Sequence, residues 1–171
     1  MQSESLGKLK QHPDVEEWWV SAEVSVPLWE GRKLRFVFQD LAEDRRPAEF
    51  EVAVQAFLRL AANDRKTIEP WILRHCKKCV ESVGEQNFNG VIREASEVWK
   101  WVRFDEVQVI RRDRRDKKVY VQVLADCDWE PEHGLQIVFR DGHELSRVSD
   151  QDGHVTHTDA FDLPESEDRI S

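Results

Sequence analysis

Alternating apolar and polar positions, the pattern of a strand with one buried face, occur in both halves of the chain. The first alternation covers residues 18–28, where tryptophan, valine, alanine and leucine hold the even positions. Glu30-Gly31 follows as a turn, and a second alternation continues over residues 34–39. Together the two segments predict a β-hairpin.

A helical spacing replaces the alternation from Pro47. Apolar residues three and four positions apart predict one helix that starts at Pro47 and ends at Asn63-Asp64. A second helix is predicted from about Thr67 to Gly84, with Pro70 in its first turn, where no backbone donor is lost. Its predicted apolar face comprises Ile68, Ile72, His75, Cys76, Cys79, Val80 and Val83.

The strand pattern returns after residues 85–97, which the sequence predicts to be a loop. Trp99-Lys100-Trp101, alternate valines over 107–123, and apolar positions over 135–148 predict a meander. These strands alternate instead of forming continuous apolar runs, so only one face is expected to be covered. We therefore predict an α+β fold: an antiparallel sheet, made of the hairpin and a C-terminal meander, with a two-helix layer packed on one face.

The pattern divides the chain into three parts. Residues 1–14 precede the first predicted strand and are expected to be a flexible N-terminal arm. Residues 15–157 are expected to form a single α+β domain, because this length is ordinary for one domain. Residues 158–171 are acidic and poor in apolar side chains, so we expect a disordered tail.

Charge narrows the choice of partner. The chain has 34 Asp and Glu against 25 Lys and Arg, which gives a net charge of −9. Such a field repels nucleic acid and anionic membranes and attracts a basic protein. Seven tryptophans in 171 residues add the expectation that some line a groove or an interface. We expect a basic protein partner, no nucleic acid and no membrane.

Neither a signal peptide nor a membrane span is predicted. No run of about 18 apolar residues occurs, and the N-terminus has neither a basic n-region nor an apolar h-region. The three cysteines are an odd number, which does not suit a disulfide framework. These features predict a cytoplasmic protein. The pattern indicates no cofactor and leaves the oligomeric state open.

The segment His75-Cys76-Lys77-Lys78-Cys79 has the CxxC spacing found in zinc and redox motifs. A structural zinc site requires four ligands, and no second CxxC or Cys/His pair lies at a suitable spacing. Cys76 and Cys79 also fall on the predicted apolar helix face, where a thiol packs as a small hydrophobe. Core packing is therefore favoured over zinc binding and over thioredoxin-type redox chemistry.

Two further charged stretches each have a structural alternative. Residues 111–118 contain six basic residues, as nucleic-acid sites do, but two aspartates interrupt them between two strands, which favours a solvated hairpin tip. Asp150 and Asp152-Gly153 resemble part of a calcium loop, although Asp159 stands where the bidentate glutamate belongs. The Asp-Gly pairs at 141–142 and 152–153 favour hairpin turns.

The stretch DCDWEPEHG, residues 126–134, is the best candidate for a site. A metal site or a general acid–base pair would use Asp126, Asp128, Glu130, Glu132 and His133. No nucleophile, oxyanion hole or phosphate loop accompanies them, and Pro131 interrupts the geometry, so a polar turn is favoured. Folding back of the last strands would bring other imidazoles to the stretch: His143, His154 and His157.

No GxSxG, P-loop, dinucleotide fingerprint or HExxH motif is present. The absence of these motifs gives no reaction to assign. Enzymatic activity is therefore left open, and a non-enzymatic function is favoured.

Several strings carry a family resemblance: Trp129–Leu135 (WEPEHGL), Val138-Phe139 with Gly142, and Asp152–Thr156 (DGHVT). With them the chain resembles a family of uncharacterised bacterial proteins known only by a domain of unknown function. The resemblance extends from the predicted hairpin to DGHVT, and WEPEHGL is its most specific part. It implies a bacterial single domain and transfers no catalytic residue.

Small acidic proteins of this appearance are often proposed as immunity proteins beside bacterial toxins, which is an analogy only. We expect a non-enzymatic binding protein, of immunity type by this analogy, that neutralises a basic partner or toxin. Its binding residues are expected to include Trp129, Glu130, Glu132, His133 and His154. The alternative is a metal-dependent or acid–base enzyme that uses the acidic and histidine cluster at 126–133.

Overall fold

Ten strands and three α-helices are present in a computed structural model that describes residues 1–84 and 88–171. Residues 85–87, part of the predicted loop, lie outside the described residues. The strands are β1 (Gln2–Ser3), β2 (Gly7–Lys8), β3 (Lys10–Gln11), β4 (Trp19–Val20), β5 (Val24–Val26), β6 (Arg32–Phe38), β7 (Val102–Arg111), β8 (Val119–Cys127), β9 (Leu135–Arg140) and β10 (Glu144–Ser149). The helices are α1 (Ala48–Leu58), α2 (Arg65–Val83) and α3 (His157–Phe161).

One large sheet has the strand order β10-β9-β8-β7-β6-β4-β3, and β5 pairs with β6 beside this path. Its neighbours are antiparallel except β6 and β7, which pair in parallel with Phe36 opposite Val107. Parallel neighbours require a crossover connection, and α1 and α2 lie in the segment that provides it. The predicted α+β fold is confirmed. The parallel pair was not predicted, because alternation along a strand does not reveal the direction of its neighbour.

Helices α1 and α2 cover one face of this sheet. The ring of Phe57 on α1 lies 6.1 Å from that of Phe36 on β6 and 5.4 Å from that of Phe139 on β9. Ile68 and Ile72 on α2 are at most 1% exposed. Burial of each such side chain contributes about 1.5–3 kcal/mol. The predicted apolar face of the second helix is therefore confirmed from Ile68 to Cys79. The side chain of Val83 lies outside what the structure describes.

The turn between β9 and β10 touches α1 closely. Asp141 and Gly142 have φ angles of 50° and 76°, so the predicted Asp-Gly turn is confirmed here. A Cβ on Gly142 would lie 1.9 Å from the carbonyl oxygen of Ala53. Only glycine allows the helix backbone and the turn to approach this far.

The N-terminal residues, expected to be a flexible arm, pack against the rest of the chain. Leu6 and Leu9 are 6% and 2% exposed and belong to the main core. The carboxylate of Glu51 on α1 accepts hydrogen bonds from the hydroxyls of Ser3 and Ser5, at 2.7 and 2.5 Å. The prediction missed this arrangement because two leucines and two serines form no periodic pattern.

The residues of the expected disordered tail also differ from the prediction. We call residues 156–171 the C-terminal segment. It contains α3 and a 3-10 helix at Glu165–Glu167, and it lies against the second face of the sheet. Asp159 and Glu165 bind the guanidinium of Arg112 at 2.7 and 2.8 Å. A composition argument counts apolar residues, whereas this segment is held mainly by charge.

Two predicted strands have different bounds in the structure. Residues 18–28 contain two short strands, β4 and β5, and then a 3-10 helix at Pro27–Trp29 that buries Leu28 and Trp29. The Trp99-Lys100-Trp101 motif belongs to a 3-10 helix at Ala95–Trp101, directly before β7. Alternation alone could not distinguish these short turns from extended chain.

Candidate functional site

Trp129 forms the base of the predicted stretch and is 1% exposed. Its indole nitrogen donates a hydrogen bond to Nδ1 of His75, at 3.1 Å. His75 lies on the buried face of α2 and is 8% exposed. The sequence stretch at 126–133 and the HCKKC motif of α2 therefore meet at one place.

A chain of hydrogen bonds continues from His75 to Asp150. Because Nδ1 accepts the indole proton, the proton of the imidazole lies on Nε2, and Nε2 donates to Oδ1 of Asp150 at 2.8 Å. The hydrogen bond from His75 lowers the pKa of Asp150, and the charge of nearby His133 acts in the same direction. The tautomer of His75 is thus fixed from both sides.

Cys79 completes a group of three potential ligands. Its sulfur lies 3.6 Å from Nε2 of His75, one helical turn away on α2. Within residues 1–84 and 88–171, the ligand atoms of His75, Cys79 and Asp150 lie within 4.8 Å of one another. Sulfur, imidazole nitrogen and carboxylate oxygen are all zinc ligands.

The protonation of this cluster limits its chemistry. Burial, together with the negative charges of Asp150 and Glu130, raises the pKa of Cys79 to about 12, so the sulfur is a thiol at neutral pH and a poor nucleophile. A cation bound at Nε2 would displace its proton to Nδ1, where it would face the N–H of Trp129. Metal binding therefore competes with the existing hydrogen bonds.

The other two cysteines are also buried. Burial raises the pKa of Cys76 to about 11 and that of Cys127 to about 12. Cys76 and Cys79 are 4% and 9% exposed and belong to the main core. The geometry agrees with the core packing that the sequence favoured for the CxxC motif.

We call residues 126–133 the acidic turn. Asp126, Glu132 and His133 are exposed, whereas Asp128 forms an ion pair with Arg103 of β7. Glu130 lies beside His133. The Oε1 of Glu130 accepts a hydrogen bond from the backbone nitrogen of His133 at 3.2 Å and lies 3.1 Å from Nδ1 of the His133 ring. Asp126 is the second-last residue of β8, and Asp128 lies beyond that strand. The two carboxylates therefore do not project side by side from one strand, as a shared metal site on a strand would need.

Gly134 fixes the end of the acidic turn. Its φ is 65°, and a Cβ would lie 2.5 Å from the amide nitrogen of Gln151 and 2.8 Å from the carbonyl oxygen of Ala125. The side chain of Gln151 donates to that carbonyl at 2.9 Å, and its backbone nitrogen donates to the carbonyl of His133 at 3.2 Å. Gln151 therefore binds the backbone on both sides of the turn.

His154 lies apart from the acidic turn in the lining of an open cleft of about 1110 Å³. The basic tract 111–118 lines the same cleft and forms the tip between β7 and β8, as predicted. The tip is not fully solvated, because Arg111 binds Asp44 at 2.5 Å and Arg112 is 5% exposed. The Asp152-Gly153 pair forms no hairpin; Asp152 binds Arg147 at 2.6 Å.

Sequence reasoning missed Asp150 and the arginines that bind the C-terminal segment. Asp150 was considered only as part of a calcium loop, and nothing in its spacing pointed to His75, 75 positions away. A usable signal existed for Arg112: a basic tract and an acidic tail in one chain can pair with each other.

The fold and this site define an α+β protein with an exposed acidic turn above a buried tryptophan and histidine, Trp129 and His75, which are hydrogen-bonded to each other. A family profile matches residues 5–155, and the chain belongs to this family, which is described as a domain of unknown function, DUF6985. No curated protein and no solved structure matches the chain. Among the described residues, no helix has the length and apolar character needed to cross a membrane.

Proposed function

We propose that this protein is a non-enzymatic binding protein whose acidic turn receives a basic protein partner. One observation carries the proposal: the exposed carboxylates of Asp126 and Glu132 stand on a turn whose centre, Trp129, is buried and hydrogen-bonded. A preorganised surface loses little conformational entropy on binding, so more of the interaction energy appears as affinity. The net charge of −9 adds long-range attraction for a basic partner.

The contact residues of this proposal differ in two respects from the sequence expectation. Trp129 supports the turn from below and is too buried to touch a partner. Glu132 and His133 are the exposed members, and Glu130 orients His133. His154 lines the cleft and belongs to a separate surface.

The finer identity of the protein is part of the proposal. We propose a bacterial origin, a cytoplasmic location and an immunity-type role against a basic partner or toxin. Support comes from the acidic composition and from the resemblance of the WEPEHGL and DGHVT strings to a bacterial family.

Retention of a partner by turn variants tests the function. The full chain is immobilised, with Asp126→Asn/Glu132→Gln as the turn variant and Glu16→Gln/Glu17→Gln as a control with the same net charge. All four positions are exposed, so neither variant should unfold. From a lysate of the source organism at low salt, wild type and control should retain one basic protein in near-equal amount, and the turn variant should not. Equal retention by all three, or by none, contradicts the proposal.

A second candidate is a metal-dependent or acid–base enzyme, and the His75, Cys79 and Asp150 cluster is the observation that favours it. Its metal version predicts that Zn²⁺ raises the melting temperature, since a ligand of the native state stabilises it by mass action. Cys79→Ser should abolish this rise, and Glu132→Gln should not. An unchanged melting temperature of the wild type with zinc, calcium, magnesium and manganese contradicts the metal version.

A further inference from the structure

Three arginines, two in the turn between β7 and β8 and one at the end of β9, bind carboxylates of the C-terminal segment. Arg112 forms a two-pronged contact with Asp159, through Nε at 2.7 Å and Nη2 at 2.9 Å. Arg115 joins it at Glu165, at 3.2 Å, and Arg140 binds the carboxylate of Asp168 at 2.5 Å. Paired guanidinium and carboxylate groups of this kind give geometric specificity as well as attraction. We call Arg112, Arg115 and Arg140 the arginine face.

The three arginines lie within the residues that the family profile matches, whereas the carboxylates of the C-terminal segment that bind them lie outside it. The family profile ends at residue 155, directly before the C-terminal segment. The side chain of Arg112 is 3% exposed with the segment in place. A buried cation needs a paired anion, so this face requires acidic groups that the matched domain supplies only in part, through Asp116 and Glu144.

The C-terminal segment fills this surface imperfectly. Five buried side-chain polar atoms of the described residues have no hydrogen-bond partner, and two belong to this segment: His157 Nδ1 and Ser171 Oγ. Each such atom costs about 1–3 kcal/mol. Phe161, the one phenylalanine of α3, is 57% exposed, although its ring lies 4.7 Å from that of His157 in the same helix. The segment is therefore held less firmly than a core element.

A strand edge lies beside the arginine face. β10 is the last strand of the sheet, and the backbone nitrogen of Val148 donates to the carbonyl oxygen of Ser171 at 2.8 Å. An open strand edge of this kind accepts the backbone of an extended peptide. This backbone donor and the arginines together form a surface suited to an acidic peptide.

We propose that the arginine face binds an acidic peptide segment of another protein, and that the C-terminal segment occupies this surface in cis. The proposal goes beyond the binding of a basic partner, because it concerns a different surface with the opposite charge. A peptide suits the surface better than a nucleic acid does, because the occupant in cis is itself a peptide and the backbone nitrogen of Val148 binds a peptide carbonyl there. The partner must displace the C-terminal segment before it binds.

Binding of a labelled peptide to the full chain tests the proposal. The probe, labelled at its amino group, has the sequence of residues 156–171, THTDAFDLPESEDRIS. Its neutral counterpart carries amides in place of all five acidic side chains: Asp159, Asp162, Glu165, Glu167 and Asp168. Glu165→Gln/Asp168→Asn is the full-chain variant with a weakened segment, and Glu16→Gln/Glu17→Gln is the control of equal charge. A covalently attached competitor acts at roughly millimolar effective concentration, so the weakened variant should bind the acidic peptide roughly tenfold more tightly than wild type or control.

Other outcomes overturn the proposal. Equal affinity of all three proteins shows that the segment does not block the surface, and equal binding of the neutral peptide shows that the arginines do not select it. Tighter binding of a single-stranded oligonucleotide identifies another class of ligand. Glu165→Gln alone, at a side chain 44% exposed, repeats the test if the double variant does not fold. In the wild type, amides of residues 157–168 should exchange faster than those of β8, and equal protection contradicts a detachable segment.

Discussion

The indole nitrogen of Trp129 donates to Nδ1 of His75 across 54 positions of sequence, at 3.1 Å. This bond joins the acidic turn to helix α2 and sets the tautomer that lets His75 donate to Asp150. It also explains why a tryptophan is needed at the base of the turn: a phenylalanine would fill similar space but would supply no proton.

Trp129→Phe should lower the free energy of unfolding by about 1–3 kcal/mol, because the buried Nδ1 of His75 would lose its donor. Urea unfolding measures the change. Trp18→Phe, at a tryptophan that is only partly buried, is the matched control and should change stability by less than about 0.5 kcal/mol. Equal effects of the two substitutions would show that the hydrogen bond contributes little.

Gly142→Ala and Gly153→Ala should differ strongly, although both glycines have positive φ, of 76° and 78°. A Cβ at Gly153 meets nothing within 4 Å, so only the backbone preference of about 1–2 kcal/mol is lost. At Gly142 the same atom would collide with the carbonyl of Ala53, and the loss should be greater. Thermal unfolding of the two variants gives the comparison; similar midpoints would mean that α1 does not press on this turn.

Arg112→Lys should destabilise the protein by about 2 kcal/mol, since an ammonium retains the charge but loses the two-pronged contact with Asp159. Arg114→Lys, at an exposed position in the same basic tract, should have little effect. Chemical denaturation distinguishes the two. If both substitutions are silent, the tract is the solvated tip that the sequence predicted.

Acidification should weaken the protein through His157. Burial lowers the pKa of His157 from its ordinary 6.5; Arg169 and Arg147 reinforce the shift, and Asp168 and Glu167 oppose it. Below about pH 6.5 the unfolded chain therefore binds a proton at His157 more readily than the folded chain does. The contribution of His157 to the free energy of unfolding is fully present above about pH 6.5 and decreases as the pH falls below it.

His157→Gln should remove this part of the pH dependence, and His143→Gln, at an exposed histidine, should leave it unchanged. The free energy of unfolding from urea titrations at several pH values between about 5 and 7.5 provides the measurement. Identical slopes for wild type and His157→Gln would contradict the assignment to His157.

Periodic patterns predicted those elements whose burial follows a regular repeat. The face of α2 from Ile68 to Cys79 and the meander over β7, β8 and β9 follow such repeats, and both are present. Gly84 also ends α2 as predicted. These features depend on residues close in sequence, where the burial of one side chain indicates the burial of the side chain one repeat further on.

The features that were missed depend on partners distant in sequence. Nothing near Asp150 identifies His75, and nothing near Glu51 identifies Ser3 and Ser5, because hydrogen-bonded pairs need no repeat. The cluster at 126–133 was identified as a polar turn, but its buried base was not. A single tryptophan between acidic residues gives no sign of which way its ring points.

The parallel pairing of β6 with β7 has a consequence for the order of folding. Strands β7 to β10 are joined by short turns and can associate through contacts close in sequence. Pairing of β6 with β7 instead requires closure of a long loop, residues 39–101. We expect the backbone amides of the meander to be protected from hydrogen exchange early, those of α1 and α2 next, and the N-terminal hairpin to dock last. The slowest step is then the joining of two halves that are each already partly built.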